Sequence, residues 1–393
     1  MIDALLELGA RGAPVVVALD EFPYLMTAAP ELPSVLQRAL GPTSPLARRS
    51  QTRLIVCGSA MSVMSRLLTG AAPLRGRAAL DLVVHPFDFR EMRSFWGIAD
   101  LELAVMVHAV LGGTPAYRDL LRGAAPASLD DFDRWVIDTM LAPASPLARE
   151  GRCLLAEEPS ITDRALYHAI LTAIAEGQTR RGQIAQALGR PDNQLSHPLT
   201  VLQDLQLITQ RADVLRARRP TYAIIEPIIR FYHAIVRPQA SRLERGQLAQ
   251  AWRAALPTFR AQILGPHFEE LARQWVGRFA DPETVGGLPD EIGFAVITGR
   301  DRTVHEVDVV ALGSPEQGRR PVLLLGEAKW RREPLGVRHV ERLERIRALL
   351  APREDLDVGR TRLGLFSRSG FASELCDRDG LALVDLERLF EGQ

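Results

Sequence analysis

The chain has 393 residues, with 48 basic and 48 acidic side chains and a formal net charge of zero. That length exceeds what one hydrophobic core sustains, so two or three domains are expected. Balanced charge excludes a global basic field for holding nucleic acid and leaves only local patches. Three widely spaced cysteines, Cys57, Cys153 and Cys376, argue against a disulfide framework and a zinc site and for a reducing compartment. No apolar run approaches the roughly 20 residues that span a bilayer. The expectation is a cytoplasmic protein with no membrane partner.

Taken in chain order, a short amphipathic helix over Met1–Leu8 leads into Val15-Val16-Val17-Ala18-Leu19-Asp20-Glu21-Phe22-Pro23. The apolar run reads as a strand buried in a parallel sheet, with Asp20 and Glu21 at its carboxyl end, where α/β sheets bind ligands. A solvated turn after a strand fits the same residues. A helix over Leu32–Leu40 stops at Gly41-Pro42. A second buried strand over Arg53–Cys57 runs into Gly58-Ser59-Ala60, followed by a helix over Met61–Leu68. This alternation predicts βαβ units and a parallel sheet. Ser59 shares the rim of Asp20 and Glu21, or is simply a helix N-cap. Arg75 and Arg77 flank Gly76 on a turn, and Ala79–Val84 reads as a short strand. Asp88 caps a helix through Trp96, and the pattern stays helical to about Leu141, as in a lid.

A new pattern follows the Ala142–Pro146 stretch. Asp163 caps a helix to Glu176, Gln183–Leu188 is a second helix and Asn193–Leu205 a third. Strands over Leu207–Gln210 and Thr221–Ile225 enclose a basic turn with Arg211, Arg216, Arg218 and Arg219. Three helices and a β-wing make a winged helix-turn-helix. Asn193, Gln194, Ser196 and His197 sit near the start of the third helix, where recognition helices meet bases. Such modules also serve as protein–protein spacers. The last domain reads as strands 292–297, 304–312 and 321–327, a helix over 337–350, a strand over 361–366, a helix, and a strand over 381–384.

In that domain charged residues interrupt apolar strands: His305-Glu306-Val307-Asp308, and Gly326-Glu327-Ala328-Lys329. Two-residue spacing puts Glu327 and Lys329 on one face of a strand, and Asp308 on the neighbouring strand can reach the same spot. Two carboxylates can hold Mg²⁺ through oxygen ligands, and the lysine can position water or phosphate for phosphodiester cleavage. The alternative is a surface ion pair of little worth.

Asp308…Glu327-Ala328-Lys329, preceded by the helix Phe268–Arg278, resembles the PD-(D/E)XK nuclease fold. Glu269 matches the acid that many members carry on their first helix, which the resemblance implies is a third metal-binding residue beside Asp308 and Glu327. It also reads as an exposed helix carboxylate. The whole chain resembles the archaeal-type ATPases, in which an AAA+/STAND-related P-loop domain precedes a winged helix and a nuclease-like domain. The matching stretches are Leu19-Asp20-Glu21-Phe22-Pro23-Tyr24-Leu25, Cys57-Gly58-Ser59, Pro73-Leu74-Arg75-Gly76-Arg77, Gly112-Gly113-Thr114-Pro115-Ala116-Tyr117, Ala175-Glu176-Gly177…Ile184-Ala185 and Phe231-Tyr232. The resemblance implies an α/β protein divided as follows: a partial P-loop core (1–97), a helical lid (98–158), a winged helix (159–226), and a helical linker with a PD-(D/E)XK-like domain (227–393). It implies that Asp20 and Glu21 are a Walker B pair with Glu21 catalytic, that Ser59 is a sensor residue and that Arg77 is an arginine finger or sensor. Mg²⁺ and ATP are the cofactors it implies, and DNA the partner.

One departure qualifies these expectations. The glycine-rich loop ending in Gly-Lys-Thr/Ser, which cradles nucleotide phosphates, occurs nowhere in the chain. Either the chain is a truncated copy or it has lost nucleotide chemistry. Three functions are therefore expected to compete: an ATPase-family protein unable to hydrolyse ATP, a Mg²⁺-dependent nuclease using Asp308, Glu327 and Lys329, and a non-enzymatic adaptor that binds DNA or protein.

Overall fold

The computed structural model describes residues 2–58, 61–70, 72–121, 125–156, 161, 163–299, 301–376, 378 and 380–393. It is an α/β protein that divides into two compact units, 1–85 with 200–206, and 86–199 with 207–393.

In the first unit, strand β1 (Val15–Leu19) pairs in parallel with β2 (Thr52–Val56), with Val15 opposite Thr52. Helices Ile2–Gly9, Phe22–Ala28, Leu32–Ala39 and Met61–Leu68 accompany them. The apolar core comprises Ile2, Leu6, Phe22, Leu32, Leu36 and Leu67, with Leu19, Leu54 and Val56 packed against it. Period 2 sends the alternate strand residues the other way, and Val16 and Ile55 are 67% and 50% exposed. The expectation of strands buried on both faces is therefore corrected: one face is covered and the other is open. The expected strand over Ala79–Val84 is also absent. That segment is irregular, with Leu80, Leu82 and Val84 exposed, because β-branched content yields a strand only where a partner strand completes its hydrogen bonds.

The second unit opens with the helix Phe89–Trp96, fixed at its start by a capping box between Asp88 and Glu91. The helix Leu101–Leu111 is capped by Asp100 and buried along nearly its whole length. After it Gly113 passes so close to Phe87 that an added Cβ would lie 1.8 Å from the Phe87 carbonyl oxygen, so glycine is required there. Helices Arg164–Ala175, Arg181–Leu188 and Ser196–Asp204 follow, then the antiparallel hairpin of β3 (Ile208–Asp213) and β4 (Arg216–Ile224). Phe132, Phe231, Trp252 and Phe259 form one aromatic cluster that ties the early helices of this unit to those after the hairpin.

The remaining strands are β5 (Glu291–Thr298), β6 (Val304–Leu312), β7 (Arg320–Lys329), β8 (Leu356–Asp357), β9 (Arg362–Ser367) and β10 (Leu381–Val384). Strand 304–312, helix 337–350 and strand 381–384 lie where the sequence pattern predicts. The sheet order is β10-β9-β7-β6-β5-β3-β4, with β8 paired to β7. β10, β9 and β7 run parallel, while β6 runs antiparallel to both of its neighbours, β7 and β5. The hairpin joins this sheet through a parallel bridge between Asp213 and Phe294. Asp213 secures the junction by accepting from the Leu215 amide (2.9 Å) and the Val296 amide (2.9 Å). A helix Val337–Leu350 buries Val340, Leu343, Ile346 and Leu350 at the spacing of one helical face, and these pack with Val310, Leu325, Leu363 and Leu365 of the sheet. No single described helix is long and apolar enough to cross a membrane.

Candidate functional site

The antiparallel register sets Val309 of β6 opposite Gly326 of β7. One step further along the two strands lie Asp308 and Glu327, so a carboxylate on each strand reaches the same place. Gly326 admits this closeness, since a Cβ there would meet the Val309 Cβ at 3.0 Å and the Phe366 ring at 3.2 Å. The Lys329 ammonium lies 2.6 Å from Asp308 Oδ2 and 3.5 Å from Glu327 Oε1. Asp308 Oδ2 also accepts from the Ala328 amide at 3.0 Å. The side chains of Glu327 and Asp308 are only 5% and 12% exposed. Buried carboxylates are costly unless paired, and here the pairing is complete: Arg342 donates to Glu327 Oε2 at 3.0 Å and to the Glu306 carbonyl at 2.6 Å. The sequence pattern gave little sign of Arg342, which lies fifteen residues beyond Glu327 on a helix of many arginines. Its helical position facing the sheet was the only signal.

Glu269 belongs to the same neighbourhood. Burial and the Asp308 charge push its carboxyl up to about 7, with Arg273 and Lys329 opposing. Arg273, one turn on, donates to the Asp308 carbonyl at 2.6 Å and to Glu270 Oε2 at 3.0 Å. The structure thus brings Asp308, Glu327 and Lys329 together and puts Glu269 within electrostatic reach.

Among the described residues, no three His, Cys, Asp or Glu side chains group closely enough to hold a metal ion. The donor chemistry still fits Mg²⁺, which keeps several waters and needs one or two protein carboxylates. Asp308 and Glu327 supply hard oxygens.

The other expected site residues are separate. Asp20 Oδ1 accepts from the Glu21 amide (2.9 Å) and from the Cys57 thiol (3.3 Å). That bond to Asp20 pushes the thiol pKa up. Glu21 caps the next helix in a left-handed conformation, φ 48°, which is unusual outside glycine. Ser59 lies outside the described residues. Arg77 is exposed, on a turn closed by its amide to the Leu74 carbonyl. Asn193, Gln194, Ser196 and His197 lie together at a 3₁₀ turn and the start of the following helix, all four exposed. Arg181 braces that turn by pairing with Asp192 at 2.6 Å. Arg216 on β4 reaches Thr298 at 3.4 Å. Arg218 and Arg219 lie on the same strand, though their side chains fall outside the described set.

The sequence pattern also concealed a buried polar chain. Arg230 Nη2 donates to His267 Nδ1 at 3.1 Å, and His267 Nε2 lies 2.8 Å from His108 Nδ1. A guanidinium only donates, so His267 accepts at Nδ1 and donates from Nε2. His108 therefore accepts at Nδ1 and gives its remaining proton to the Phe87 backbone. Burial lowers His108 to about 4 and His267 well below its usual value, so both rings are neutral at pH 7. The single signal was a histidine inside the otherwise apolar run Leu103–Leu111.

Compared with known proteins, the chain is 25% identical over 330 residues to an uncharacterized protein of Methanocaldococcus jannaschii, MJECL04, covering 80% of this chain and 67% of that one. No family model matches the chain, and no solved structure matches it.

Proposed function

We propose that this protein acts on DNA, that its last domain is a PD-(D/E)XK-like, Mg²⁺-assisted phosphodiester hydrolase, and that the chain does not turn over ATP. One observation carries the hydrolase reading: two enclosed carboxylates, Asp308 and Glu327, on neighbouring strands share one lysine, Lys329. Bound Mg²⁺ supplies Lewis acidity at a phosphoryl oxygen and lowers the pKa of a bound water. Asp308 and Glu327 hold the ion through their oxygens. Lys329 directs its remaining N–H groups at the attacking water or the phosphate. Arg342 holds Glu327 oriented, as outer partners of metal ligands do. Glu269 exchanges a proton near neutrality, which suits it to take one from the water or return one to the leaving oxygen.

A winged helix-turn-helix supports substrate binding. Asn193, Gln194, Ser196 and His197 are exposed where a recognition helix meets bases, and Arg216, Arg218 and Arg219 add a local basic strand for phosphates. The Asp20–Glu21 pair fits a Walker B strand, with Arg77 on a later turn of the sequence, but the glycine-rich lysine loop that would hold ATP is missing from the chain.

The pairing at the site also favours a second reading, a non-enzymatic adaptor, because two carboxylates matched by Lys329 and Arg342 are satisfied without any metal. Plasmid and branched DNA incubated with the purified chain decide between the two. Mg²⁺- or Mn²⁺-dependent cleavage that disappears in Asp308→Ala and Lys329→Ala supports the hydrolase. Intact DNA, or equal cleavage by the variants, overturns it and leaves the adaptor. ATP hydrolysis by the purified chain would overturn the absence of ATP turnover.

A further inference from the structure

A cavity of about 630 Å³ lies within the second unit, between β3, the helix Pro227–Phe231 and the helix Gly265–Arg278. Its size is that of a small-molecule site. Apolar walls from Phe87, Ile224 and Phe294 surround a deep basic end made by Arg211, Arg230 and Arg273.

The charges at that end do not balance. Arg211 and Arg273 both pair with a single carboxylate, Glu270, at 2.8 and 3.0 Å. Arg278 is matched by Asp88, and Glu291 is held by Arg320. Arg230 has no carboxylate within ion-pair distance among the described residues; its one hydrogen bond there is to neutral His267, and its Nε is buried with no partner. Glu226, a nearby acid, is itself pushed up to about 7 by burial, so it compensates Arg230 incompletely. Three guanidinium groups thus face one firmly ionised carboxylate, Glu270, and a Glu226 carboxyl that is ionised only in part, which leaves net positive charge. A buried charge left this way is expensive, and guanidinium forks match phosphate oxygens in shape as well as charge.

We propose that this cavity binds a small phosphorylated organic molecule, with the phosphate gripped by Arg211 and Arg230 and the organic part against Phe87 and Phe294. A phosphomonoester, which is anionic, answers the net positive charge at that end. The apolar walls favour an organic phosphate over the free ion. The site adjoins Asp308 through the bond from Arg273 to its carbonyl, but it does not depend on the hydrolase reading.

Calorimetric titration of the full chain with inorganic phosphate, ribose 5-phosphate and ribose tests it. Ribose 5-phosphate is expected to bind more tightly than phosphate, and ribose not at all. Arg230→Met and Arg211→Gln are expected to weaken binding at least tenfold, while Lys329→Ala leaves it unchanged. Should Arg230→Met unfold, which circular dichroism reports, Arg211→Gln alone carries the test, because that side chain is partly exposed. The proposal is overturned if neither phosphate binds at millimolar concentration, if the folded arginine variants bind as wild type does, or if duplex DNA but neither small phosphate occupies the pocket.

Discussion

Nε2 of His267 lies 2.8 Å from Nδ1 of His108, across 159 residues of chain. This hydrogen bond joins the buried helix Leu101–Leu111 to the helix that carries Glu269, and Arg230 extends it towards the cavity. The chain of donors uses every ring nitrogen, so each neutral tautomer is specified by the next group along.

Replacing His267 by Phe strands the Arg230 donor and the His108 acceptor in a buried place. Each unsatisfied polar group costs about 1–3 kcal/mol, so destabilisation by roughly 2–5 kcal/mol is expected in urea denaturation at pH 7.5. The pH dependence has a definite sign. Both histidines have folded-state values below 6.5, so the unfolded chain binds more protons and their contribution is full above pH 6.5. It is lost as pH falls from there towards the His108 value of about 4. Glu226 and Glu269, raised to about 7, act in the opposite direction, favouring the folded state more as pH falls. The histidine contribution is therefore the difference between wild type and His267→Phe. That difference should shrink between pH 7 and 5; a constant difference would mean the rings are not buried and neutral.

Lys329→Met removes the cation shared by Asp308 and Glu327. Breaking a buried pair leaves uncompensated charge and costs about 3–5 kcal/mol in full burial; partial exposure of Lys329 and the remaining Arg342–Glu327 pair put the expected cost nearer ~2 kcal/mol. Millimolar Mg²⁺ should recover part of it, because a cation held by the same oxygens replaces the missing charge. Thermal melting with and without Mg²⁺ reads this. Equal Mg²⁺ shifts in wild type, Lys329→Met and Asp308→Ala would remove the ion from the site.

Asp213→Ala should uncouple the hairpin from the main sheet. Its carboxylate holds two amides, Leu215 and Val296, while only 5% exposed. Hydrogen bonds to a charged group contribute about 1.5–3 kcal/mol each, so destabilisation by roughly 3–6 kcal/mol is expected. Hydrogen exchange should accelerate at Val296 and along β3 while Val309 and Leu325 stay protected. Uniform acceleration across the sheet would contradict a local tie.

Neutralising Arg216, Arg218 and Arg219 together should weaken DNA binding and flatten its dependence on salt, by about one unit of log–log slope for each phosphate no longer neutralised. Arg216→Gln alone should have the smallest effect, since its guanidinium already leans on Thr298. An unchanged slope in the triple variant would remove this strand from any DNA interface.

Local pattern determined a good deal by itself. The caps at Asp88 and Asp163, the helices over Met61–Leu68 and Val337–Leu350, and the strand Val304–Leu312 follow from short-range rules of capping and period, which need no partner. Period 2 likewise put Glu327 and Lys329 on one face. Tertiary structure decided what depends on distant partners. It set Asp308 opposite Glu327 through strand register, brought Arg342 onto Glu327 from a later helix, left one face of β1 and β2 open, and denied Ala79–Val84 a partner strand. It also joined the 208–224 hairpin to β5 and gathered His108, Arg230 and His267 from three separate helices. Burial and pairing are properties of neighbours in space, so the charges that matter most here, Arg230 among them, look in sequence like any other surface residue.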